Sequence, residues 1–223
     1  MPWLWPNEPS MIMKQILIID REFGAGCSTI SEKLAARLNW KLFDDSLTRE
    51  IARQAKIPVD VCRRREERRD PWLQRLTNLI WRGTFDRNLP SPDLAILDTD
   101  RLVAIVEQVV KQAAESRPCV IVGRGAPYFL RQRPDRFSVF LYASRDLKYR
   151  RVLKRVGNEK EAVYLVDSMD EDRRKFVKHH FGHDWPDRQL FHAMLNTGVG
   201  DDTAIETILN MLNAVNRNEE AKT

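Results

Sequence analysis

The chain has 223 residues, of which 43% are hydrophobic and 31% are charged, values typical of a globular protein with one sizeable core. No apolar run approaches the ~20 residues of a membrane helix, and the N-terminus lacks the pattern of a secretory signal, so neither a membrane span nor secretion is expected. The formal net charge of +5 favours an anionic partner.

Strands and helices are predicted to alternate along the chain. Apolar runs predict strands at 15–20, 40–43, 119–123, 137–143 and 190–195. Apolar residues recurring at steps of three and four predict helices at 28–38, at 100–114 and near the C-terminus, where Thr203 and Glu206 form a candidate capping box. Consecutive apolar positions are typical of strands buried on both faces of a parallel sheet. The sequence therefore predicts an α/β fold, a three-layer helix-sheet-helix sandwich with a mostly parallel sheet.

Two charged regions interrupt this alternation, at 56–97 and at 145–188. We interpret both as insertions over the carboxyl edge of the sheet, within a single domain of residues 1–223 that starts with an irregular extension at 1–13. The run "RRREERRD" at 63–70 is either a face that binds RNA or a solvated helix face. Its interleaved charges favour the solvated face, so nucleic acid is not the expected partner.

The stretch "IIDREFGAGCSTISEKLAARL" at 18–38 predicts a strand, a glycine turn and a helix. Gly24 and Gly26 allow close backbone approach, and the following helix directs its free N–H groups at the same point, as in a phosphate-binding loop. Against the pattern G-x-x-x-x-G-K-[ST], Gly26 and Ser28 match, whereas Arg21 replaces the first glycine and Cys27 replaces the lysine. The alternative is a glycine turn that only packs a strand against a helix.

Cys27 has two interpretations of its own. In the first, its position at a helix N-terminus lowers the thiol pKa and makes Cys27 redox-sensitive. In the second, Cys27 is simply a small residue that fits at this position. The three cysteines are an odd number without metal-type spacing, which favours a reduced cytoplasmic setting.

A second informative segment runs from 118 to 151, where a strand ends in Gly123-Arg124-Gly125 and is followed by another strand and an arginine-rich helix. Together with "REFGAGCSTISEKLAARLNWKLFDD" and "LNTGVGDDTAIETIL", it resembles the cytidylate kinase-like family over roughly 14–215. The resemblance implies a P-loop kinase-like fold, in which 56–97 is a substrate-side insertion and 145–188 is the lid region. It also implies small-molecule nucleotides as partners, with ATP and Mg²⁺ as cofactors.

The resemblance also implies roles for individual residues. The donor phosphates would be lined by the loop residues Gly24, Ala25, Gly26, Cys27, Ser28 and Thr29. The hydroxyl of Ser28 would meet Mg²⁺, and Arg124 and Arg49 would hold the acceptor phosphate. Arg173 and Arg174 would close over the transferring phosphoryl group. Of the arginines at 145, 150, 151 and 155, one or two are expected to face ATP.

The chain departs from the cytidylate kinases of this family at two positions. Cys27 stands in place of the loop lysine, and Val122 in place of an aspartate before the glycine-arginine turn. Arg21, at the end of the first strand, is a candidate to restore the lost charge. The leading hypothesis is ATP-dependent phosphoryl transfer to a nucleoside monophosphate, CMP or dCMP. The alternative is a regulatory or pseudokinase module that binds nucleotide with weak or no transfer.

The histidine-rich segment "HHFGHDW" at 179–185 invites a metal interpretation. Gly182 and Pro186 argue against a rigid pair of His179 and His183 on one helix, so a lid or hinge segment is favoured.

Overall fold

The computed structural model describes residues 13–55 and 99–221. The predicted insertion at 56–97, its basic run at 63–70 and nearly all of the extension at 1–13 lie outside the described residues. Within the described ranges the elements are, in chain order, β1 (Ile16–Arg21), α1 (Cys27–Leu38), β2 (Lys41–Phe43), α2 (Asp45–Gln54), α3 (Thr99–Glu115), β3 (Cys119–Val122), α4 (Ala126–Phe129), β4 (Arg136–Tyr142), α5 (Arg145–Val156), α6 (Glu159–Phe181), β5 (Ala193–Asn196) and α7 (Asp201–Glu220).

The five strands form one sheet in the order β2-β3-β1-β4-β5, and every neighbouring pair is parallel. At the centre, Ile18 of β1 lies opposite Ile121 of β3 and Ser138 of β4. The prediction of a mostly parallel sheet is confirmed. Because all strands run the same way, the segments that follow them meet at one carboxyl edge of the sheet.

The sheet is covered on both faces. Alternate residues of β1 point to opposite sides, so that Ile16 and Ile18 join the core formed with α2, α3, α4 and the end of α6. Leu17 and Ile19 join the core formed with α1 and α7. This arrangement confirms the predicted three-layer sandwich and explains why the strands are apolar at consecutive positions.

The helices α5 and α6 begin and end on residues suited to those places. Ser144 caps α5 by accepting a hydrogen bond from the N–H of Leu147 (3.3 Å), and Asn158 caps α6 by accepting one from Glu161 (3.0 Å). Both helices end on a glycine in the left-handed conformation, Gly157 with φ 70° and Gly182 with φ 70°. The predicted charged region at 145–188 is thus largely a helix pair.

Two predicted boundaries are wrong. The C-terminal helix begins at Asp201 after Gly200, so Thr203 lies inside the first turn, where its carbonyl accepts a hydrogen bond from Thr207, and no capping box forms. Glu206 instead pairs with Arg37 of α1 across the helix interface. The last strand begins at Ala193, because residues 188–190 form a 3-10 turn.

Candidate active site

The loop between β1 and α1 spans residues 22–26 at the carboxyl edge of the sheet. Gly24 (φ 82°) and Gly26 (φ 84°) are both left-handed, a conformation that favours glycine. Gly26 directly precedes α1, whose first-turn N–H groups have no acceptor within the helix. The exposed residues Ser28 and Thr29 belong to that turn. The strand, turn and helix therefore lie where the sequence predicted them.

Helix α5 packs directly on this loop. A Cβ atom on Gly24 would lie 3.0 Å from Val152 Cγ2 and 3.1 Å from the carbonyl oxygen of Lys148. A Cβ atom on Gly26 would lie 2.9 Å from Nη1 of Arg151. Gly24 thus has a packing role, as in the alternative interpretation of the glycine turn, although the helix that packs against it is α5. At Gly26, the missing side chain leaves room for a guanidinium group.

Two of the four arginines considered on α5 face the loop. Arg151 is held there by Thr197 Oγ1 (2.8 Å) and by Asp201 (2.7 Å), and Thr197 in turn donates to the loop carbonyl of Ala25 at 2.8 Å. The guanidinium carbon of Arg155 lies 4.9 Å from the ring centroid of Phe23. Arg151 is half-buried, whereas Arg155 and the other two, at 145 and 150, are exposed.

Arginines from three separate elements converge beside the loop. Arg21 ends β1, Arg124 follows β3 and Arg173 lies on α6. Burial is the largest cause of the lowered pKa values of Arg124 and Arg173, and the positive charge of Arg21 lowers both values further. The positive charge of Arg173 also lowers the pKa of Arg124. The three guanidinium groups therefore share one neighbourhood, which favours an anion.

Arg21 is half-buried, and its guanidinium lies so close to Gly123 that a Cβ atom on that glycine would collide with it. Burial lowers the pKa of Arg21, but nearby negative charge, including that of the Asp44, Asp20 and Asp170 carboxylates, raises it above its ordinary value. Arg21 therefore stays charged among these carboxylates, at the end of the strand that leads into the loop.

Arg124 is 4% exposed and has a positive φ of 56°. Its Nη2 donates to Thr48 Oγ1 of α2 at 2.5 Å and lies 3.9 Å from Asp44, whereas its buried Nε has no partner among the described residues. Burial and the neighbouring arginines lower its pKa to about 10. Arg49, next to Thr48 on α2, is exposed, and its predicted acceptor role stays a prediction.

The two arginines predicted in the lid have different surroundings. Arg173 is 4% exposed, and its Nη1 donates to the backbone oxygen of Arg21 (2.8 Å) and to Asp170 (2.9 Å). Arg174 is exposed and pairs with Glu171 at 2.6 Å. Arg173 therefore lies with the loop, whereas the described contact of Arg174 is on the surface of α6.

Of the two interpretations of Cys27, the structure does not support the lowered thiol pKa. Cys27 is 6% exposed, and burial raises its pKa to about 12, an effect that the nearby charge of Arg21 only partly offsets. Desolvation of the thiolate thus outweighs the helix N-terminus and the arginine, so the thiol is neutral at physiological pH. The structure favours the interpretation of Cys27 as a small residue that fits.

Sequence reasoning missed the carboxylates that accompany the arginines. Asp20 accepts a hydrogen bond from Trp185 Nε1 (3.1 Å), and Asp44 lies beside Arg124. Both follow or end apolar runs at the carboxyl edge, which is a signal the sequence offers. Asp170, buried on α6, accepts a hydrogen bond from the loop N–H of Phe23 (2.8 Å). No local pattern identifies Asp170, since its partner is 147 residues away.

The histidine-rich segment does not form a helical pair. Helix α6 ends at Phe181, so His179 is helical whereas His183 lies beyond Gly182 and contacts Asp187 at 2.7 Å. Within 13–55 and 99–221, no group of three or more histidine, cysteine, aspartate or glutamate side chains is placed to hold a metal ion.

In the described part of the chain, we find no helix with the length and hydropathy needed to span a membrane.

Comparison with known proteins identifies relatives of the fold. A family model described as the cytidylate kinase-like family matches residues 16–199. An uncharacterized protein from Eubacterium ventriosum ATCC 27560 is 24% identical, with a TM-score of 0.60 over 89% of this chain and 98% of that one. A gluconokinase from Sinorhizobium meliloti 1021 is 12% identical, with a TM-score of 0.57 over 95% and 98% of the two chains.

A shikimate kinase from Acinetobacter baumannii, in complex with shikimate, is 18% identical, with a TM-score of 0.51 over 89% of this chain and 93% of that one. The comparison with curated proteins found no match. At these identities the solved structures establish the P-loop kinase fold, whereas the family match supports phosphoryl transfer involving nucleotides. Because that match covers most of its length, the chain belongs to the cytidylate kinase-like family.

Proposed function

We propose that this protein transfers a phosphoryl group from ATP to a nucleoside monophosphate, with CMP or dCMP as the acceptor. The observation that carries the proposal is the convergence of Arg21, Arg124 and Arg173 beside the glycine loop. Arg173 donates to the carbonyl oxygen of Arg21, whose guanidinium lies against Gly123, the residue before Arg124. A transferring phosphoryl group spreads negative charge over its oxygens, and preorganised guanidinium groups stabilise that charge without chemistry of their own.

The donor side of the site is assigned to the loop and the first turn of α1. The free N–H groups of this turn, at residues 27–29, are suited to the phosphates of ATP. Position 27 lacks the lysine of the pattern, and Arg21 and Arg151 are two cations that lie beside the loop, with the guanidinium of Arg151 against Gly26. We assign to them the charge that Cys27 does not supply. Magnesium, held through ATP with Ser28 as its protein ligand, would neutralise phosphate charge when bound.

The acceptor side is assigned to Arg124. Its guanidinium is held by Thr48 and is almost fully buried, yet its Nε lacks a partner among the described residues and its pKa is lowered to about 10. A group in this state gains from an anion, since a phosphate both satisfies the N–H and offsets the neighbouring positive charge. A protein that only binds a nucleotide, without transferring its phosphoryl group, does not need a second anion site for an acceptor phosphate.

The second candidate is a regulatory or pseudokinase module. It is favoured by the uncharged residue at position 27, because the loop lysine of active relatives contributes charge to the transition state. The two hypotheses differ in a measurable way, since a module binds ATP without passing its phosphoryl group to an acceptor.

The test is a coupled assay of the full chain with ATP, Mg²⁺ and a panel of nucleoside monophosphates. We expect turnover with CMP or dCMP, and a fall in kcat/KM of about a hundredfold or more in Arg124→Gln. The matched control is Arg136→Gln, since Arg136 is a half-buried arginine that donates to Leu190 O at 2.9 Å, at the opposite end of the sheet. Tight ATP binding without turnover of any acceptor in the panel would contradict the kinase and favour the module.

A further inference from the structure

One buried carboxylate fixes the backbone where β1 leads into the loop. Asp170 on α6 is 5% exposed, and its Oδ1 accepts a hydrogen bond from the N–H of Phe23 at 2.8 Å. The same oxygen accepts a hydrogen bond from Arg173 Nη1 (2.9 Å), which also donates to the carbonyl oxygen of Arg21 (2.8 Å). A single ion pair thus holds a backbone group on each side of Glu22.

The side chain of Glu22 is held by the same cluster. Lys148 of α5 donates to Glu22 Oε2 at 3.0 Å and to Asp170 Oδ2 at 3.1 Å, and its side chain is only 11% exposed. Burial lowers the pKa of Lys148, but the hydrogen bond to Glu22 and the charge of Asp170 raise it above its ordinary value. Both oxygens of Asp170 therefore have hydrogen-bond partners within the cluster, and the residue is almost fully buried.

Apolar packing reinforces these polar contacts. The Phe23 ring lies in a small core with Val152, Ala162 and Met169 from α5 and α6. Gly24 lies against the backbone of Lys148. Four consecutive residues, 21–24, are therefore in contact with the helix pair, immediately before the turn that reaches α1.

We propose that Asp170 is a positioning residue that, with Lys148 and Arg173, keeps residues 21–23 in the conformation in which the loop receives the donor phosphates. The identification of the ligand as ATP rests on the proposed function, whereas the contacts of Asp170 are independent of it. A glycine-containing loop that is ordered before binding avoids the entropic cost of ordering on binding, so loss of the cluster weakens donor binding more than acceptor binding.

The experiment compares Asp170→Asn with Asp167→Asn in the full chain. Asp167 lies one turn earlier on α6 and forms an exposed ion pair with Arg145 (2.8 Å), so it matches the helix and the charge change without touching the loop. Two properties are measured: hydrogen exchange at the Phe23 amide without nucleotide, and the KM values for ATP and for the acceptor.

For Asp170→Asn we expect the Phe23 amide to exchange at least about tenfold faster, with the central amides of β1 unchanged. We also expect the KM for ATP to rise at least about tenfold and the acceptor KM to change less than about threefold. Exchange and KM values equal to those of Asp167→Asn would overturn the proposal, and so would equal rises in both KM values. If the wild-type chain neither binds ATP nor turns over, the proposed function fails, and the exchange of Phe23 still decides whether Asp170 positions the loop.

Lys148→Met is the second variant, in case Asp170→Asn does not fold. It keeps the apolar stem and the contacts of Asp170 with Phe23 and Arg173, but removes the link to Glu22. We expect a smaller change in the same direction, about threefold in Phe23 exchange and in the KM for ATP. Unchanged values for this variant would contradict the cluster as a positioning device.

Discussion

At the scale of single residues, burial decides how the groups around the loop behave. Arg124 and Cys27 are both nearly inaccessible, and burial shifts their pKa values in opposite directions, to about 10 and to about 12. The reason is the same for both, because burial disfavours the charged form of either group. Arg124 stays cationic and gains from an anion, whereas Cys27 stays a neutral thiol.

The raised thiol pKa predicts that Cys27 is chemically inert in the folded protein. The ordinary value is 9.0 and the folded value about 12, so the thiolate fraction at pH 8 is small and the sulfur is also inaccessible. We expect alkylation of Cys27 at pH 8 to be at least about a hundredfold slower than in the denatured chain. Peptide mapping by mass spectrometry after timed alkylation measures this. Labelling of native Cys27 at the rate of the denatured chain would show that the thiol is exposed or ionised.

At the scale of elements, the turn before β4 holds the start of β1. The carbonyl oxygen of Asp135 accepts hydrogen bonds from the N–H groups of Gln15 (2.8 Å) and Ile16 (3.1 Å). Its carboxylate is fixed by Arg133 (2.9 Å) and Arg117 (2.7 Å). The turn thus joins the amino end of the central strand to the segment before β3.

This turn predicts a pH-dependent stability. Burial raises the pKa of Asp135, but the hydrogen bonds from Arg133 and Arg117 lower it below 3.8. A carboxyl pKa that is lower in the folded state adds stability at pH values above 3.8, and this stability is lost as the pH falls through the folded-state pKa. We expect Asp135→Asn to lower the free energy of unfolding by about 1–3 kcal/mol at pH 7, with the difference shrinking in acid.

Urea denaturation of both proteins at several pH values between neutral and acid measures the effect. The control is Glu107→Gln, which breaks an exposed pair with Lys111 on α3 (2.5 Å) and is expected to cost less than about 0.5 kcal/mol. A difference for Asp135→Asn that does not vary with pH would mean that the carboxylate charge is not what stabilises the turn.

At the scale of the whole molecule, two apolar cores lie on opposite faces of one sheet. Ile18 and Ile19 are neighbours in β1, both are fully buried, and they belong to different cores. The three-layer arrangement therefore predicts that shortening a side chain on either face of β1 lowers the stability of the protein.

We expect Ile18→Ala and Ile19→Ala each to lower the free energy of unfolding by about 2–5 kcal/mol, because each leaves a cavity in a filled core. Chemical denaturation of the two variants beside the wild type measures both values. A cost below about 1 kcal/mol for either variant would indicate that its face of the sheet is loosely covered.

The sequence by itself determined the strands, the helices α1, α3 and α7, and the layering of the sheet, whereas the long helix α6 was not predicted. Runs that are apolar at consecutive positions indicated strands covered on both sides, and recurrence at three and four residues indicated the helices. It also placed Gly24, Gly26 and Arg124 in the segments that follow strands, since these are local signals. Boundaries that depend on a neighbour were less certain, as the absent capping box at Thr203 shows.

The tertiary structure alone decided which charges meet. Arg173 reaches the carbonyl oxygen of Arg21 across 152 residues, Asp170 reaches the N–H of Phe23 across 147, and Arg151 reaches Thr197 across 46. It also decided the state of Cys27, because burial by the sheet and its neighbours outweighs the local effect of a helix N-terminus. Contacts and desolvation between distant segments leave no periodic trace in a sequence, so only the folded chain reveals them.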